Sequence, residues 1–138
     1  MSRSPFREGG PFEELAAYSR AVRTGDRIVV SGTAVFGPDG KALHPGDAGA
    51  QARESLRRGL TAIESLGGRR EDVIRTRIFL VAGADWRGPV DAHRELFAGV
   101  DPANTTLFVN ALIPEGALVE IELEAVVGSG DLDPRGAE

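Results

Sequence analysis

The sequence predicts a single α+β domain in which a mostly antiparallel sheet carries two helices on one face. Three observations lead to this fold class: a length of 138 residues, two stretches with apolar residues every three or four positions, and several short runs that alternate or are rich in β-formers. The predicted order is strand, strand, helix, strand, helix, strand, strand, with flexible tails at 1–13 and 129–138. Because nothing in the chain covers the second sheet face, we also expect a homo-oligomer with clefts between its subunits.

The first two strands are predicted at residues 16–23 and 27–36, and the turn at Gly25 between them is typical of a hairpin. Ser31 and Gly32 lie inside the second strand, where a glycine weakens packing. The sequence leaves two interpretations of this pair open. It is either a β-bulge or a backbone edge that faces a ligand.

Two amphipathic helices are predicted next. The first begins after the N-cap residue Asp47 and ends at Gly67, and the second covers residues 85–98. The apolar stripe of the second helix consists of Trp86, Val90, His93 and Phe97. We interpret His93 on this stripe as a hydrogen-bonded core or interface residue, and proton transfer is its alternative role.

Between the two helices, residues 73–81 alternate as a strand. One face is predicted to carry Ile74, Thr76, Ile78 and Leu80, and the other Arg75 and Arg77. If this strand lies beside the last one, the two arginines would pair with glutamates across the sheet.

The end of the chain has the clearest strand pattern. Residues 105–112 form an apolar run, Pro114 and Gly116 mark a turn, and residues 119–125 alternate strictly, so we predict a β-hairpin. The alternation puts three carboxylates on the face opposite the core: Glu120, Glu122 and Glu124. Glu120 opens its strand directly after the turn, so we expect it to reach a cleft and handle protons. The other two are expected to be solvated.

Charge and composition disfavour several classes of function. The net charge is −5 and the 16 basic residues are scattered, which argues against binding to nucleic acid. No run approaches the roughly 20 apolar residues that span a bilayer, and no secretory signal opens the chain, so we expect no membrane partner. The chain has no cysteine and two histidines, from which we expect no disulfide, no metal site, no cofactor and a cytoplasmic location.

Several stretches, taken in order, resemble the RidA family, also called YjgF/YER057c/UK114. They are the tyrosine of AAYSRAV, the strand motif VVSG, the helix AQARESL, the strand DVIRTRIFL, the tripeptide VDA, the pair Pro102-Ala103 and the closing GALVEIE. They run from about residue 18 to residue 127. The resemblance implies a chorismate-mutase-like, YjgF-type α+β sandwich, a homotrimer, and three ligand clefts at the subunit interfaces.

The resemblance also implies site residues. Members that act on 2-imino or 2-enamino acids hydrolyse them to 2-keto acids and ammonia; an arginine after the Pro-Ala pair binds the substrate carboxylate, and a glutamate of the last strand positions water. That glutamate matches Glu120. The arginine is replaced by Asn104, which has no charge and cannot form arginine's paired bonds to a carboxylate, and the family's pocket asparagine is replaced by Asp91. The expected ligand contacts are Tyr18, Ser31, Gly32, Asn104 and Thr106.

These residues lead to two hypotheses. In the first, the protein is a deaminase or hydrolase of an enamine or imine without a bound α-carboxylate, and Glu120 guides water. In the second, a non-catalytic trimer binds a metabolite or a partner protein in the same clefts. A ribonuclease activity, an older label of the family, is disfavoured because an acidic protein repels phosphate backbones.

Overall fold

The computed structural model describes residues 2–132, which form one six-stranded sheet, three α-helices and two short 3-10 turns. The strands and helices are β1 (Arg3–Phe6), α1 (Pro11–Ala16), β2 (Ala21–Thr24), β3 (Arg27–Thr33), α2 (Ala48–Ser65), β4 (Val73–Val81), α3 (Arg87–Phe97), β5 (Ala103–Val109) and β6 (Val119–Val126). Met1 and residues 133–138, which belong to the two predicted flexible tails, lie outside the described residues.

The predicted α+β class and mostly antiparallel sheet are confirmed, and one pair of strands makes the sheet mixed. The strand order is β1-β2-β3-β6-β4-β5, and only β4 and β5 run parallel. Helices α2 and α3 pack together over one face and close a core that includes Ile28, Val30, Leu56, Ile63, Ile78, Leu80, Phe97, Ile121 and Leu123. Burying one such side chain contributes about 1.5–3 kcal/mol. In the described part of the chain, no helix has both the length and the apolar character needed to cross a bilayer.

The predicted hairpin of the last two strands is wrong. β5 pairs with β4 in parallel register, with Asn104 opposite Thr76, and β6 lies between β3 and β4 as an antiparallel neighbour of both. The physical reason is the helix α3 between β4 and β5, because parallel neighbours need a crossover connection of this kind. The position in the middle of the sheet suits β6, whose apolar face is buried along its length.

The predicted flexible lead-in at 1–13 is also wrong for the residues that the structure describes. Residues 3–6 form β1 on the edge of the sheet beside β2, and α1 begins at Pro11, a residue favoured in the first helical turn. The strand expected to begin at residue 16 begins instead at Ala21. Residues 129–131, expected to be a flexible tail, form a turn in which the Gly130 amide donates to the buried Asp72 carboxylate at 3.0 Å.

Strand β4 keeps the predicted neighbour but not the predicted face at its start. A register shift against β6 between Val73 and Arg75 turns Ile74 outward, where it is 43% exposed, and buries Val73 in its place. Further along, the predicted pairing across the sheet is confirmed by Arg77, whose guanidinium lies 3.0 Å from a carboxylate oxygen of Glu122.

The two predicted helices are confirmed with small changes at their ends. The Asp47 carboxylate accepts a hydrogen bond from the Ala50 amide at 3.0 Å, as expected of an N-cap. Helix α3 covers 87–97 rather than 85–98, and its predicted apolar stripe is partly wrong because Trp86 is half exposed. Phe97 of the predicted stripe is buried, and Pro89 and Ala92 are buried with it.

Candidate functional site

Glu120, the second residue of β6, folds its side chain back onto strand β3. The contact falls on Gly32, because a Cβ atom added there would lie 2.9 Å from Glu120 Oε2. The pairing of β3 with β6 skips between Val30 and Thr33, so two residues of β3 face one residue of β6. The Ser31-Gly32 pair therefore forms a β-bulge, and the missing side chain of Gly32 gives the carboxylate room. A ligand contact at this pair stays a prediction.

The environment of Glu120 changes its acidity. Burial raises the pKa of this carboxyl, the nearby positive charge of Arg20 works against that rise, and the neighbouring Glu122 adds to it. Glu120 is only partly buried, so it remains accessible to a small ligand. The group is thus a better proton acceptor than an ordinary surface glutamate.

Arg20 links several of the expected site residues. Its guanidinium donates through NH1 to the Gly32 carbonyl oxygen at 2.7 Å and to Thr33 Oγ1 at 3.1 Å. Its other terminal nitrogen, NH2, lies 3.4 Å from the Tyr18 hydroxyl, and its central carbon lies 5.6 Å from the centre of the tyrosine ring. Tyr18 and Gly32 are therefore held on one guanidinium beside Glu120.

A buried carboxylate fixes the backbone of this region. Glu13, only 4% exposed, accepts backbone N–H bonds from Glu8, Gly9, Gly10 and Arg20, at 2.6–3.1 Å. These bonds outweigh the effect of burial and lower the pKa of Glu13. The segment that carries Tyr18 and Arg20 is thereby pinned to helix α1.

Ser31 has a structural contact in this corner. Its hydroxyl donates to the Ser19 carbonyl oxygen at 2.7 Å, and its amide donates to the Arg20 carbonyl oxygen at 2.8 Å. The hydroxyl oxygen keeps the capacity to accept a bond from a ligand. The structure thus brings Tyr18, Ser31, Gly32 and Glu120 together.

Asn104 and Thr106 lie on the edge strand β5, away from Glu120. The Asn104 amide donates to Thr76 Oγ1 at 2.9 Å, and the Thr106 hydroxyl donates to Asn104 Oδ1 at 2.8 Å. Asn104 pairs with Thr76 of β4, whereas Glu120 pairs with Phe79, three residues further along. Since neighbouring residues of a strand alternate between faces, the two groups lie on opposite faces of the sheet, about 10 Å apart along the strand direction.

His93 belongs to the Asn104 cluster. Its Nε2 lies 2.8 Å from Thr76 Oγ1, and its ring packs at 4.9 Å against that of Phe97. Burial lowers the pKa of the imidazole and favours its neutral form. The interpretation of His93 as a hydrogen-bonded histidine of the core boundary fits these contacts. Asp91, two residues before His93 on α3, is exposed, and its carboxylate lies 3.8 Å from the Arg87 guanidinium.

Tyr18 and Arg20 line a cavity of about 480 Å³. Its wall includes Tyr18, Arg20 and Arg58 together with the rings of Phe12 and Phe36. Within residues 2–132, no three histidine, aspartate or glutamate side chains are grouped so that they could hold a metal ion. The sequence analysis missed Arg20 and Glu13; the signals available were a cation two residues after Tyr18 and an acid in the first turn of α1.

Comparison with known proteins places this geometry among relatives. The sequence model of the endoribonuclease L-PSP family matches residues 11–127. An uncharacterised protein of Streptomyces coelicolor is 38% identical over 123 residues, which cover 89% of this chain and 91% of that one. The crystal structure of a YjgF/YER057c/UK114 family member from Mycobacterium tuberculosis superposes with a TM-score of 0.82 at 39% identity, covering 91% of this chain and 100% of that one.

A Yersinia pestis protein of the Rid family, described as of unknown function, has a TM-score of 0.76 at 28% identity and covers 91% of this chain and 100% of its own. The family match runs from α1 to β6, so it includes every candidate residue from Tyr18 to Glu120. The likeness therefore covers the sheet, the helices and the site corner together. The chain belongs to the endoribonuclease L-PSP family, the YjgF/YER057c/UK114 family that its sequence motifs resemble.

Proposed function

We propose that this protein is a hydrolase that deaminates a small enamine or imine, with Glu120 orienting the attacking water. The observation that supports the proposal most strongly is the placement of the Glu120 carboxylate against Gly32, at the corner that also holds Tyr18 and Arg20. Partial burial raises its pKa, which strengthens it as a proton acceptor.

In the proposed reaction, a water molecule adds its oxygen to the carbon of the C=N bond while Glu120 accepts a proton from that water. Glu120 passes that proton to the nitrogen. The C–N bond of the tetrahedral intermediate then breaks as its hydroxyl group becomes C=O, and the hydroxyl proton goes to the leaving nitrogen, which departs as ammonia. One imine and one water thus give one carbonyl compound and one ammonia, with no change in oxidation state. Because the imine carbon is already electrophilic, a single well-placed carboxylate can promote the addition.

A homotrimer with clefts between subunits is part of the proposal. Within one chain, Asn104 and Thr106 lie on the sheet face opposite Glu120, so they could share a ligand with it only if a second copy supplied them. The face that the helices leave open carries exposed apolar side chains, with Val29 45% and Leu107 37% exposed. Association of copies over this face would remove these side chains from water. Sedimentation of the purified protein tests this point, and a monomer at micromolar concentration would contradict it.

Ammonia release tests the activity. The substrates are freshly generated 2-iminopropanoate and a 2-aminomuconate-like enamine, each measured against buffer alone. We expect release by the wild type, loss in Glu120→Gln, and retention in Glu122→Gln, a matched control on the same strand and face. No release above buffer with either substrate, or equal release from Glu120→Gln, would remove the proposal.

A non-catalytic ligand-binding protein is the second candidate. It is favoured by Asn104, which carries no charge and whose amide is already bonded to Thr76. This candidate predicts ligand binding without ammonia release, unaffected by Glu120→Gln and weakened by changes at Asn104 or Tyr18. Retained binding to RNA at physiological salt would instead favour the activity named in the family description.

A further inference from the structure

The guanidinium of Arg20 is a buried charge in a fixed position. The residue is 8% exposed, its Nε donates to Glu8 at 3.2 Å, and its NH1 donates to Gly32 and Thr33. Removing a charge from water is costly unless partners hold it, and these three partners do so. A group already fixed in this way loses little further freedom when a ligand binds to it.

One nitrogen of this guanidinium, NH2, has donor capacity left for a ligand. NH2 carries two hydrogens, and its contact with the Tyr18 hydroxyl at 3.4 Å is long for a hydrogen bond. Arg20 and Tyr18 both line the cavity of about 480 Å³. An acceptor atom placed there could take an N–H from Arg20 and an O–H from Tyr18 at the same time.

The other charges around the cavity are already engaged. Glu13 is saturated by four backbone amides, and Glu8, which also lines the cavity, is paired with Arg20 Nε. Arg58 is also part of the wall, but it donates to the Phe36 carbonyl oxygen at 3.2 Å and its Nε lies 3.7 Å from Glu54 Oε2. An anion in this cavity would therefore be bound chiefly by Arg20, with aromatic surface from Phe12 and Phe36 beside it.

Arg20 and Glu120 both contact Gly32, one at its carbonyl oxygen and the other at its α-carbon. Arg20 NH1 holds the Gly32 carbonyl oxygen, and the Glu120 carboxylate lies over the Gly32 α-carbon, while the ion-pair partner of Arg20 is Glu8. We propose that Arg20 binds an anionic group of the ligand, such as a carboxylate, while Glu120 faces the reacting carbon. This inference rests on the proposed function and assigns to Arg20 the guanidinium that position 104 lacks.

Calorimetric titration with stable ligands tests the inference without turnover. The probes are pyruvate, the keto acid formed from 2-iminopropanoate, and pyruvamide, its uncharged counterpart. We expect the wild type to bind pyruvate at least about tenfold more tightly than pyruvamide, as charge-assisted bonds allow. Arg20→Gln should lose this preference, and Arg87→Gln, whose side chain is 72% exposed, should keep it.

Arg20→Lys is the second variant, in case the glutamine variant does not fold. It keeps the charge but loses the planar fork, so pyruvate should bind about fivefold or more weakly while pyruvamide binding stays the same. Equal wild-type affinity for the two probes, no pyruvate binding at millimolar concentration, or unchanged pyruvate affinity in a folded Arg20 variant would overturn the inference. Failure of the proposed hydrolase is recognised separately, by absent ammonia release together with intact Arg20-dependent binding.

Discussion

Two polar regions of this molecule differ in how their groups are satisfied. In the first, which we call the Arg20 corner (Tyr18, Arg20, Gly32 and Glu120), two opposite charges lie near one another without forming an ion pair between them. In the second, the Thr76 cluster (Thr76, His93, Asn104 and Thr106), neutral groups are joined by hydrogen bonds of 2.8–2.9 Å. Groups that satisfy one another stabilise a fold, whereas a partly buried charge without a close partner is available for chemistry.

The largest expected effect on activity comes from removing the negative charge of Glu120. Glu120→Gln keeps the shape of the side chain but removes its basicity, so we expect ammonia release to fall by about 100-fold or more, the lower range for general-base catalysis. Steady-state rates of ammonia release from 2-iminopropanoate measure this loss. Glu122→Gln, which alters an acid paired with Arg77, should change the rate by less than about twofold. A similar loss of ammonia release in both variants would contradict a catalytic role that belongs to Glu120 alone.

Displacing the same carboxylate without changing it should have the next largest effect. In Gly32→Ala the added methyl group would lie 2.9 Å from Glu120 Oε2, so the side chain must move, and we expect about a tenfold loss of activity. The free energy of unfolding of the variant, measured with urea, separates this effect from a loss of folded protein. Full activity in folded Gly32→Ala would contradict the assigned position of Glu120.

The pH dependence of activity sharpens the comparison further. The ionised form of Glu120 is the one that accepts a proton, and burial raises its pKa above the ordinary 4.5. Activity should therefore be full at neutral pH and fall as the pH drops through that raised pKa, at a higher pH than for an exposed glutamate. The pH profile of kcat/KM measures this. An acidic limb with an apparent pKa at or below 4.5 would show that burial does not govern the group.

The smallest effect on activity is expected from the Thr76 cluster. Thr76→Val replaces a fully buried hydroxyl with a methyl group, so His93 and Asn104 each lose their hydrogen bond to Thr76 Oγ1. We expect a loss of about 1–3 kcal/mol in the free energy of unfolding, measured with urea, and ammonia release within about twofold of the wild type. Thr61→Val, at an exposed position of α2, should leave the stability nearly unchanged. A catalytic loss larger than that of Gly32→Ala would reverse the roles of the two regions.

Local patterns in the sequence determined the elements and the faces of most of them. The strict alternation of β6 predicted which of its residues are buried, and Asp47 and Gly67 predicted the ends of α2. These signals work because side-chain period and capping chemistry are properties of neighbouring residues. They fail where pairing is decided at long range, as at Ile74, where a bulge shifts the alternation by one residue.

By itself, the sequence determined the α+β class, the order of its central elements and the family, and it predicted Glu120 as the candidate proton acceptor. Only the tertiary structure decided that β6 lies between β3 and β4, that residues 3–6 form an edge strand, and that Asn104 lies on the opposite face from Glu120. It also brought Arg20 beside Glu120 across Gly32. The reason is that strand partners are selected by burial and by the geometry of the connections between strands, so residues 100 positions apart in the chain become neighbours without leaving any mark on the local pattern.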